Sequence, residues 1–464
     1  MYGAPVVYDL FLGNRAQQNR GKESAGLATF DGIEYHVHRG MGRAEVAFKD
    51  CDLTQFPGTA GISHVRYSTT GASTLANAHP IESVFNGEPF FIAHNGNLVN
   101  ISELERICTD RGYSENNSKE FSPTDTSFIA ALIASSSCNI FEDALVETLH
   151  LLKGTFSMVV LYRGTVYGIR DSSGNRPLTI AYGRGVVLFA SESAIATTLN
   201  LRARYEVDPG GILAVSPSVY PDAPICRVVG KLPENKKALC VFEHIYILRP
   251  DSMFDGMRAQ LVREALGREL WEEYKNRVSA DVVISVPDSG NAAAQGFSSA
   301  SGIPRVDGLI RHHEAGRTFN DLYDRRELGL QIKFGIIPEH IVGKRIFVVD
   351  DSLVRATTIK KIIRLLKKAG AIETHVMISS PLYTDPCYYG IDTYRVKNEL
   401  AARRHFGNTE SICDEIDANS LYYLSVEGVN RALIKVSGLP NCHTKYCFAC
   451  FTGKYPIPLI TEKQ

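Results

Sequence analysis

FVVDDSLVRATT, residues 347–358, is the stretch that decides the fold of the second half of this chain. An apolar run ends in two acidic residues, a short loop follows, and the amphipathic sequence TTIKKIIRLLKKAG comes next. This order predicts a buried strand, a loop and a helix whose apolar face consists of Ile359, Ile362, Ile363 and Leu366. Backbone amides at the N-terminus of such a helix bind phosphate well. The stretch therefore predicts an anion-binding loop.

The polar side chains of this loop indicate what the anion belongs to. The hydroxyls of Ser352, Thr357 and Thr358 would add donors to the backbone amides. Asp350 and Asp351 would repel a phosphate directly, so they suit ribose hydroxyls or a Mg²⁺ ion held near a pyrophosphate. The alternative, a strand that merely ends in an acidic turn, is disfavoured by the whole string.

The surrounding sequence extends this pattern into two domains. From about residue 240, apolar runs such as ADVVISVPDSG and HVMISSP alternate with helical stretches, which predicts an α/β domain with a parallel sheet. Residues 1 to about 230 contain short β-type runs, with a hairpin turn expected at Arg163-Gly164, and helical stretches between them. This half is predicted to be an α+β domain with packed antiparallel sheets. The Pro-rich, polar segment 217–237 is expected to connect the two domains.

Composition and charge exclude several classes of protein. The chain has 464 residues, enough for two or three domains, and 44% of them are hydrophobic, as in globular proteins. Its 50 basic and 51 acidic residues nearly cancel, which argues against a nucleic-acid-binding or polybasic membrane surface. No run has the length and apolarity of a membrane span, and the first residues do not have the pattern of a signal peptide. We expect a cytoplasmic protein.

The ten cysteines are predicted to be free thiols or metal ligands rather than disulfides. Cys447 and Cys450 form a CxxC pair, which zinc, iron–sulfur and redox sites all use. A zinc ion or an iron–sulfur cluster would require two more thiolates. Cys442 is spaced to compete with Cys447 as a ligand. The residues by themselves leave the choice between these sites open.

The anion-binding loop resembles the phosphoribosyl pyrophosphate (PRPP) loop of type I phosphoribosyltransferases. The resemblance implies that PRPP is bound by Asp350, Asp351, Ser352, Leu353, Val354, Arg355, Ala356, Thr357 and Thr358. Ala356 stands where that family usually has glycine, and alanine fits only if the position does not need a positive φ.

Two further segments resemble parts of the same site. VPDSGNAAAQGFSSASGIP, from residue 286, resembles the segment that faces the pyrophosphate, which implies that Ser289 joins Asp350 and Asp351 at Mg²⁺. GLIRHHEAGRTF, from residue 308, resembles the flexible lid of the glutamine-dependent amidophosphoribosyltransferases. It implies that Arg317 is a cation for the leaving pyrophosphate.

Motifs in the first half resemble a glutaminase domain of the N-terminal-nucleophile class. QNRGKESAGLAT, HVRYSTTG, AHNGNL, PTDTS and RDSSGNRPL occur in that order. The resemblance implies that Arg66 binds the glutamine α-carboxylate and Asp125 its α-ammonium group. Asn95 and the Gly96 amide would form the oxyanion hole, and Arg20 and Gly21 would line the nucleophile.

Taken together, the motifs identify the chain as similar to the amidophosphoribosyltransferase family. The family implies an α+β N-terminal-nucleophile hydrolase-like αββα sandwich at 1–230, then an α/β type I phosphoribosyltransferase domain with a parallel sheet at 240–464. It implies formation of phosphoribosylamine from PRPP and glutamine or ammonia, the first step of de novo purine synthesis. It also implies a homo-oligomer, inhibition by purine nucleotides, and a [4Fe–4S] cluster on Cys240, Cys387, Cys447 and Cys450. Zinc remains an alternative for these cysteines.

The nucleophile expected in this family is a cysteine at the N-terminus, yet this sequence begins with Met1 and its first cysteine is Cys51. APVVYDLFLGNRAQQ is expected to be the helix that follows the nucleophile strand. The chain as written is therefore predicted not to hydrolyse glutamine. Three interpretations stay open: a longer natural chain, an ammonia-dependent transferase, or a non-catalytic regulatory protein that binds PRPP or nucleotides.

Overall fold

The computed structural model describes residues 1–3, 5–67, 73–112, 123–216, 225–312, 334–391 and 393–459. The first half contains helices α1 to α6, which are Val7–Ala16, Ala44–Ala47, Ile101–Asp110, Asp125–Ala134, Phe141–Leu151 and Ser193–Thr198. Its strands β1 to β12 are Ser24–Phe30, Tyr35–Met41, Ala60–Arg66, Ile81–Phe85, Glu88–Leu98, Gly154–Tyr162, Thr165–Arg170, Thr179–Gly183, Val186–Ala190, Ala203–Glu206, Gly211–Ser216 and Ile225–Lys231.

These strands form two antiparallel layers. One layer consists of β2-β1-β3 and β10-β8-β9, and the backbone of Tyr2 joins the two groups by bridging Ala60 and Val187. The other layer has the order β12-β11-β7-β6-β5-β4. A core that includes Ile62, Phe91 and Leu161 lies between the layers. Helices α1, α2 and α6 cover the first layer and α3, α4 and α5 the second, which gives the predicted αββα sandwich.

The local predictions for this half agree with the structure, with one exception. The hairpin turns at Arg163 and Gly164, both with positive φ, and the expected first helix is α1. The segment 217–237, however, is not simply a connection, because Ile225–Lys231 is strand β12 and pairs with β11. The prolines at 217–224 favoured the prediction of a connection for the whole segment, so the strand that follows them was not predicted. The chain leaves the sheet only after Lys231.

The second half is a three-layer α/β unit. Helices α7 to α13 are Ala259–Tyr274, Asn291–Ser301, Thr357–Lys368, Ala401–Arg404, Thr409–Ile416, Val426–Ser437 and Ala449–Thr452. Strands β13 to β22 are Leu239–Cys240, Met253–Phe254, Met257–Arg258, Val282–Ser285, Leu309–Arg311, Phe334–Ile336, Arg345–Asp350, Glu373–Ile378, Ser420–Tyr423 and Tyr446–Cys447. The four strands β16-β19-β20-β21 form the predicted parallel sheet.

The parallel sheet is buried on both faces, as its continuous apolar strands predict. Helices α7, α8 and α12 pack on one face, around Phe347 and Val349. Helices α9 and α11 pack on the other, where the predicted stripe of α9 is fully buried against Ile346 and Val348. The C-terminal tail returns to the junction between the halves, because β22 pairs with β13. In the described part of the chain, no helix combines the length and apolarity that crossing a membrane requires.

Candidate functional site

The predicted anion-binding loop lies at the carboxyl end of the parallel sheet. Strand β19 ends at Asp350 and helix α9 begins at Thr357. Among the described residues, no side chain caps the N-terminus of this helix, so its first backbone amides are available to a ligand. Ala356, the residue before the helix, has φ +65°. Position 356 therefore does need a positive φ. The expectation was that alanine fits here only if the position does not need one, so this condition is not met.

The two adjacent carboxylates are almost completely buried. Asp350 and Asp351 have relative exposures of 9% and 3%. Burial raises the pKa of Asp350 well above its usual value, and the neighbouring charge of Asp351 raises it further. The Asp350 carboxylate accepts a hydrogen bond from the Asp351 amide at 2.9 Å, and the Ser352 hydroxyl donates to Asp351 at 2.6 Å. Two buried carboxylates with this mutual repulsion are a suitable place for a divalent cation.

The segment that contains Ser289 lies directly against these carboxylates. The Val286 amide donates to the Val349 carbonyl at 2.9 Å, which fixes the segment at the end of β19. Gly290 approaches so closely that a β-carbon there would lie 2.6 Å from the Val349 oxygen. The backbone on both sides of Ser289 thus lies at the end of β19, where Asp350 and Asp351 follow.

Two residues of this site were missed by the sequence analysis. Tyr246 is near both carboxylates: its partial burial, and then the charge of Asp351, raise the pKa of its phenol. The buried Arg263 side chain interacts with the charge of Asp351 and donates to the carbonyls of His244 and Leu248. Both residues lie within the segment 243–263, which has no motif; only the packing of the chain brings them to the carboxylates. Arg317 lies outside the described residues.

The predicted glutamine pocket begins where β3 ends. Arg66 is buried at the last position of β3, and Gly21 packs directly on its backbone. A side chain at position 21 would collide with the Arg66 carbonyl, so only glycine fits. The nearest carboxylate oxygen of Glu23 is 3.8 Å from the Arg66 guanidinium. Gly21 and Arg66 are therefore neighbours in the structure.

Strand β5 carries the residues predicted for the oxyanion hole. Asn95 and Gly96 lie near its end, paired with Ser157 and Phe156 of β6. The side-chain amide of Asn95 lies 3.4 Å from the Ser191 hydroxyl. Asp125 begins α4 and accepts a hydrogen bond at 2.8 Å from the Leu98 amide, also on β5. The structure thus places these predicted residues on adjoining segments.

Three histidines link β3 to β5, and sequence reasoning did not find them; His79 and His94 are buried and His64 is half-buried. The rings of His64 and His79 are 4.5 Å apart, and the His94 amide donates to His79 Nδ1 at 3.4 Å. A hydrogen bond also joins the His64 ring to the His94 backbone. Burial lowers the pKa of His64 to about 4 and that of His94 to about 3, and lowers the pKa of His79 as well. All three are neutral at neutral pH.

A buried network of ion pairs joins the two halves of the chain. Arg20 contacts Glu192 at 2.8 Å and Glu243 at 2.7 Å, and Arg176 contacts Glu243 at 3.0 Å. Burial alone would raise the pKa of Glu243, but the charges of Arg20 and Arg176 outweigh it and lower the pKa. The Arg20 side chain is thus committed to the junction, whereas the resemblance implied a place beside the nucleophile. Arg176 also donates to Asn95 Oδ1 at 3.2 Å.

The four predicted cluster cysteines converge at the same junction. Cys240 and Cys447 are paired in the ladder between β13 and β22, and the Thr384 and Asp385 amides donate to the Cys450 carbonyl. Burial raises the pKa of Cys447 to about 12, and the nearby Cys387 adds to the shift. Burial also raises the pKa of Cys240 and Cys450, with further contributions from the other cysteines of this set.

The positive charge of Arg176 acts on this group of thiols. Arg176 lowers the pKa of Cys240, and its Nε and Nη1 atoms have no hydrogen-bond partner among the described residues. All ten cysteines are unpaired thiols. Within the described ranges, no three His, Cys, Asp or Glu side chains are grouped so that they could hold a metal ion. The thiols interact electrostatically but are not arranged around a single ion.

Comparison with known proteins gives three kinds of match. The sequence profile of a glutamine amidotransferase domain matches residues 64–197. Amidophosphoribosyltransferases from Synechocystis and Methanocaldococcus jannaschii are 38% and 36% identical, covering 96% and 99% of this chain and 87% and 96% of their own length. A Bacillus subtilis glutamine PRPP amidotransferase solved in complex with ADP and GMP superposes with a TM-score of 0.89, at 34% identity, covering 100% of this chain and 98% of its own.

The fold and these matches define the chain as a glutamine-amidotransferase-type sandwich joined to a phosphoribosyltransferase-type α/β unit. It belongs to the amidophosphoribosyltransferase family, a group of pentosyltransferase enzymes.

Proposed function

We propose that this chain forms 5-phosphoribosylamine and pyrophosphate from PRPP and ammonia, the first step of de novo purine biosynthesis. The observation that carries the proposal is the uncapped N-terminus of α9 next to two buried carboxylates at the end of a parallel strand. The backbone amides from residue 352 to Thr358 would bind the 5-phosphate, and Asp350 and Asp351 would orient the ribose. This division keeps the carboxylates away from the phosphate anion.

A Mg²⁺ ion suits the arrangement of Ser289, Asp350 and Asp351, since the two carboxylates are buried and repel each other. The bound ion would supply positive charge to the departing pyrophosphate. Arg317, on the lid segment, is proposed to add a second positive charge there.

For the glutamine half of the family reaction, we propose that Arg66, Asn95, Gly96 and Asp125 bind the amide donor, with Gly21 shaping the wall. We also propose that the chain does not hydrolyse glutamine. In support, none of the ten cysteines of the chain lies on β3, β5 or the start of α4, the segments that carry the pocket. Ammonia would then be the nitrogen donor.

The test is pyrophosphate release from PRPP and Mg²⁺ with either ammonium chloride or glutamine as donor. We expect turnover with ammonium chloride and none with glutamine. Turnover with both donors would refute the glutaminase part alone. Saturable PRPP binding without turnover by either donor would replace the transferase with a PRPP-binding regulatory protein, the candidate that the non-glycine Ala356 favours. Absence of PRPP binding would refute both.

We propose a [4Fe–4S] cluster, rather than zinc, on Cys240, Cys387, Cys447 and Cys450. The support is the set of four mutually interacting thiols, three of them buried, and the positive charge of Arg176 that acts on Cys240. Such a cluster would hold the tail at the junction of the two halves. Anaerobic purification followed by iron, sulfide and zinc analysis tests this: about four irons and four sulfides per chain are expected, whereas stoichiometric zinc would contradict the proposal.

From its membership of the family we also propose that the protein is a homo-oligomer and that purine nucleotides inhibit it. The complex of the Bacillus subtilis relative with ADP and GMP supports the proposed inhibition.

A further inference from the structure

The phosphate-binding loop contains a residue in a conformation that its side chain disfavours. Ala356 has φ +65° and is 4% exposed. An L-residue other than glycine in this left-handed region costs about 1 kcal/mol or more. The surrounding structure must therefore supply contacts that hold the loop in this shape.

Two hydrogen bonds from helix α10 provide such contacts. Arg404, at the end of α10, donates from Nη2 to the Arg355 carbonyl at 3.2 Å. The Ala401 amide, at the start of α10, donates to the Val354 carbonyl at 2.8 Å. The two carbonyls immediately before Ala356 are thus both turned toward α10.

The direction of these carbonyls fixes the direction of the amides that a phosphate would meet. A trans peptide is planar, with its carbonyl and its N–H pointing in opposite directions. Turning the Val354 and Arg355 carbonyls toward α10 therefore turns the N–H groups of Arg355 and Ala356 away from it, to one common side. Successive amides that point the same way next to a left-handed residue form an anion-binding concavity.

The Arg404 guanidinium is itself held in place. It makes a two-pronged ion pair with Glu415 of α11, with Nη1–Oε1 at 3.1 Å and Nη2–Oε2 at 2.9 Å. Glu415 also contacts the His405 ring at 2.7 Å. A bidentate pair fixes the orientation of the guanidinium more tightly than a single contact does. The Arg355 side chain, by contrast, pairs with Glu399 at the surface.

We propose that Arg404, oriented by Glu415, is a positioning residue that holds Ala356 left-handed and aims the loop amides at the phosphate of PRPP. The identity of the ligand rests on the proposed function. The brace, by which we mean the contacts of Arg404 with the Arg355 carbonyl and with Glu415, rests on the hydrogen bonds.

The binding test uses PRPP with Mg²⁺ and the full-length chain. Arg404→Lys keeps the charge but loses the fork geometry, so we expect PRPP affinity to fall about tenfold. In an Ala356→Gly background the same substitution should weaken binding less than about threefold, because glycine adopts this conformation at little cost. Equal losses in both backgrounds, or no loss in either, would overturn the proposal.

Lys367→Gln is the matched control, since it removes a surface ion pair with Asp417 at the far end of α9. It should leave PRPP affinity unchanged; a loss as large as that of Arg404→Lys would mean that any disturbance of this region weakens binding, and would overturn the specific role. Glu415→Gln is a second variant with the same expected direction as Arg404→Lys.

Amide hydrogen exchange tests the brace without any ligand. The Lys360 amide donates to the Ala356 carbonyl, and the Ala401 amide to the Val354 carbonyl. Both should exchange about tenfold faster in Arg404→Lys, and Ala356→Gly should restore the first. Unchanged exchange would overturn the inference. A chain that shows this effect but does not bind PRPP would refute the proposed function and leave the brace standing.

Discussion

At the scale of single residues, the main feature of this protein is the strain stored where the ligand is expected to bind. Asp350 and Asp351 are buried side by side, and Ala356 is left-handed without being glycine. Groups in such states lower the stability of the free protein and are stabilised when a cation or anion binds. The sequence was enough to select these residues as a candidate site, but it did not predict that the two carboxylates are buried.

Asp351→Asn tests this exchange between stability and binding. Removing the neighbouring charge should return the pKa of Asp350 toward its ordinary value and raise the free energy of unfolding of the metal-free protein by about 1 kcal/mol. Mg²⁺-dependent PRPP binding should fall at least about tenfold, because one proposed metal ligand is lost. Urea unfolding and calorimetric titration measure the two effects. Asp417→Asn, at the exposed end of α11, is the control; a stability loss in Asp351→Asn would contradict the repulsion.

At the scale of elements, the buried face of helix α9 could be predicted from the sequence, but the contacts between strands β3 and β5 could not. The stripe of α9 was predicted from its period, and all four of its residues are buried against the sheet. The three histidines that link β3 to β5 were not predicted, because they are separated by 15 to 30 residues and share no local period. Periodicity describes one element, whereas a contact between elements depends on how they pack.

Ile363→Ala tests the packing of α9. Ile363 is fully buried, so its truncation should lower the free energy of unfolding by about 3 kcal/mol through lost burial and the cavity left behind. Lys360→Ala, on the solvent side of the same helix, should change it by less than about 0.5 kcal/mol. Equilibrium urea unfolding measures both, and equal effects would show that the stripe does not face the sheet.

The histidine group predicts a pH dependence with a definite sign. Because the folded-state pKa values lie near 4 for His64 and near 3 for His94, protons bind the unfolded chain first as pH falls below about 6.5. Stability should therefore be complete above pH 6.5 and fall by about 1.4 kcal/mol per pH unit for each histidine until the pH reaches its folded-state pKa, about 4 for His64 and about 3 for His94.

His79→Gln, which keeps a hydrogen-bond acceptor near the His94 amide, should make the slope between pH 6 and 5 shallower by about 1.4 kcal/mol per pH unit. His150→Gln, at the exposed end of α5, is the control and should not make this slope shallower by a comparable amount. Urea unfolding at a series of pH values gives the slopes, and identical slopes in His79→Gln and the unmodified protein would rule out the neutral buried state.

At the scale of the whole molecule, buried polar contacts hold the two halves together. Glu243 is held between Arg20 and Arg176, Asn97 donates to the Tyr388 carbonyl at 2.7 Å, and Asn175 donates to the Ala238 carbonyl at 2.6 Å. Through Arg176, the same network contacts Asn95 of the predicted glutamine pocket and acts electrostatically on Cys240. The predicted glutamine pocket and the cysteine group therefore meet at one junction.

Glu243→Gln tests the junction. Neutralising Glu243 leaves two buried guanidinium groups without their shared partner, which should lower the free energy of unfolding by about 3 kcal/mol or more. Glu234→Gln, which removes an exposed pair with Lys231, should have no measurable effect. Denaturant unfolding of both variants decides; a Glu243→Gln protein as stable as the control would mean that this network does not hold the halves together.

The sequence by itself determined the strand–loop–helix at 347–358, the hairpin at Arg163-Gly164, the two fold classes and the family, because these depend on local period, turn chemistry and motif order. Only the tertiary structure decided that Ala356 is left-handed, that Arg404 braces its loop, and that Arg20 pairs with Glu243 across 223 positions. The same holds for strand β12, which the sequence pattern assigned to a connection. Such features arise from contacts between distant segments, whose partners are chosen by packing and burial and leave no periodic trace along the chain.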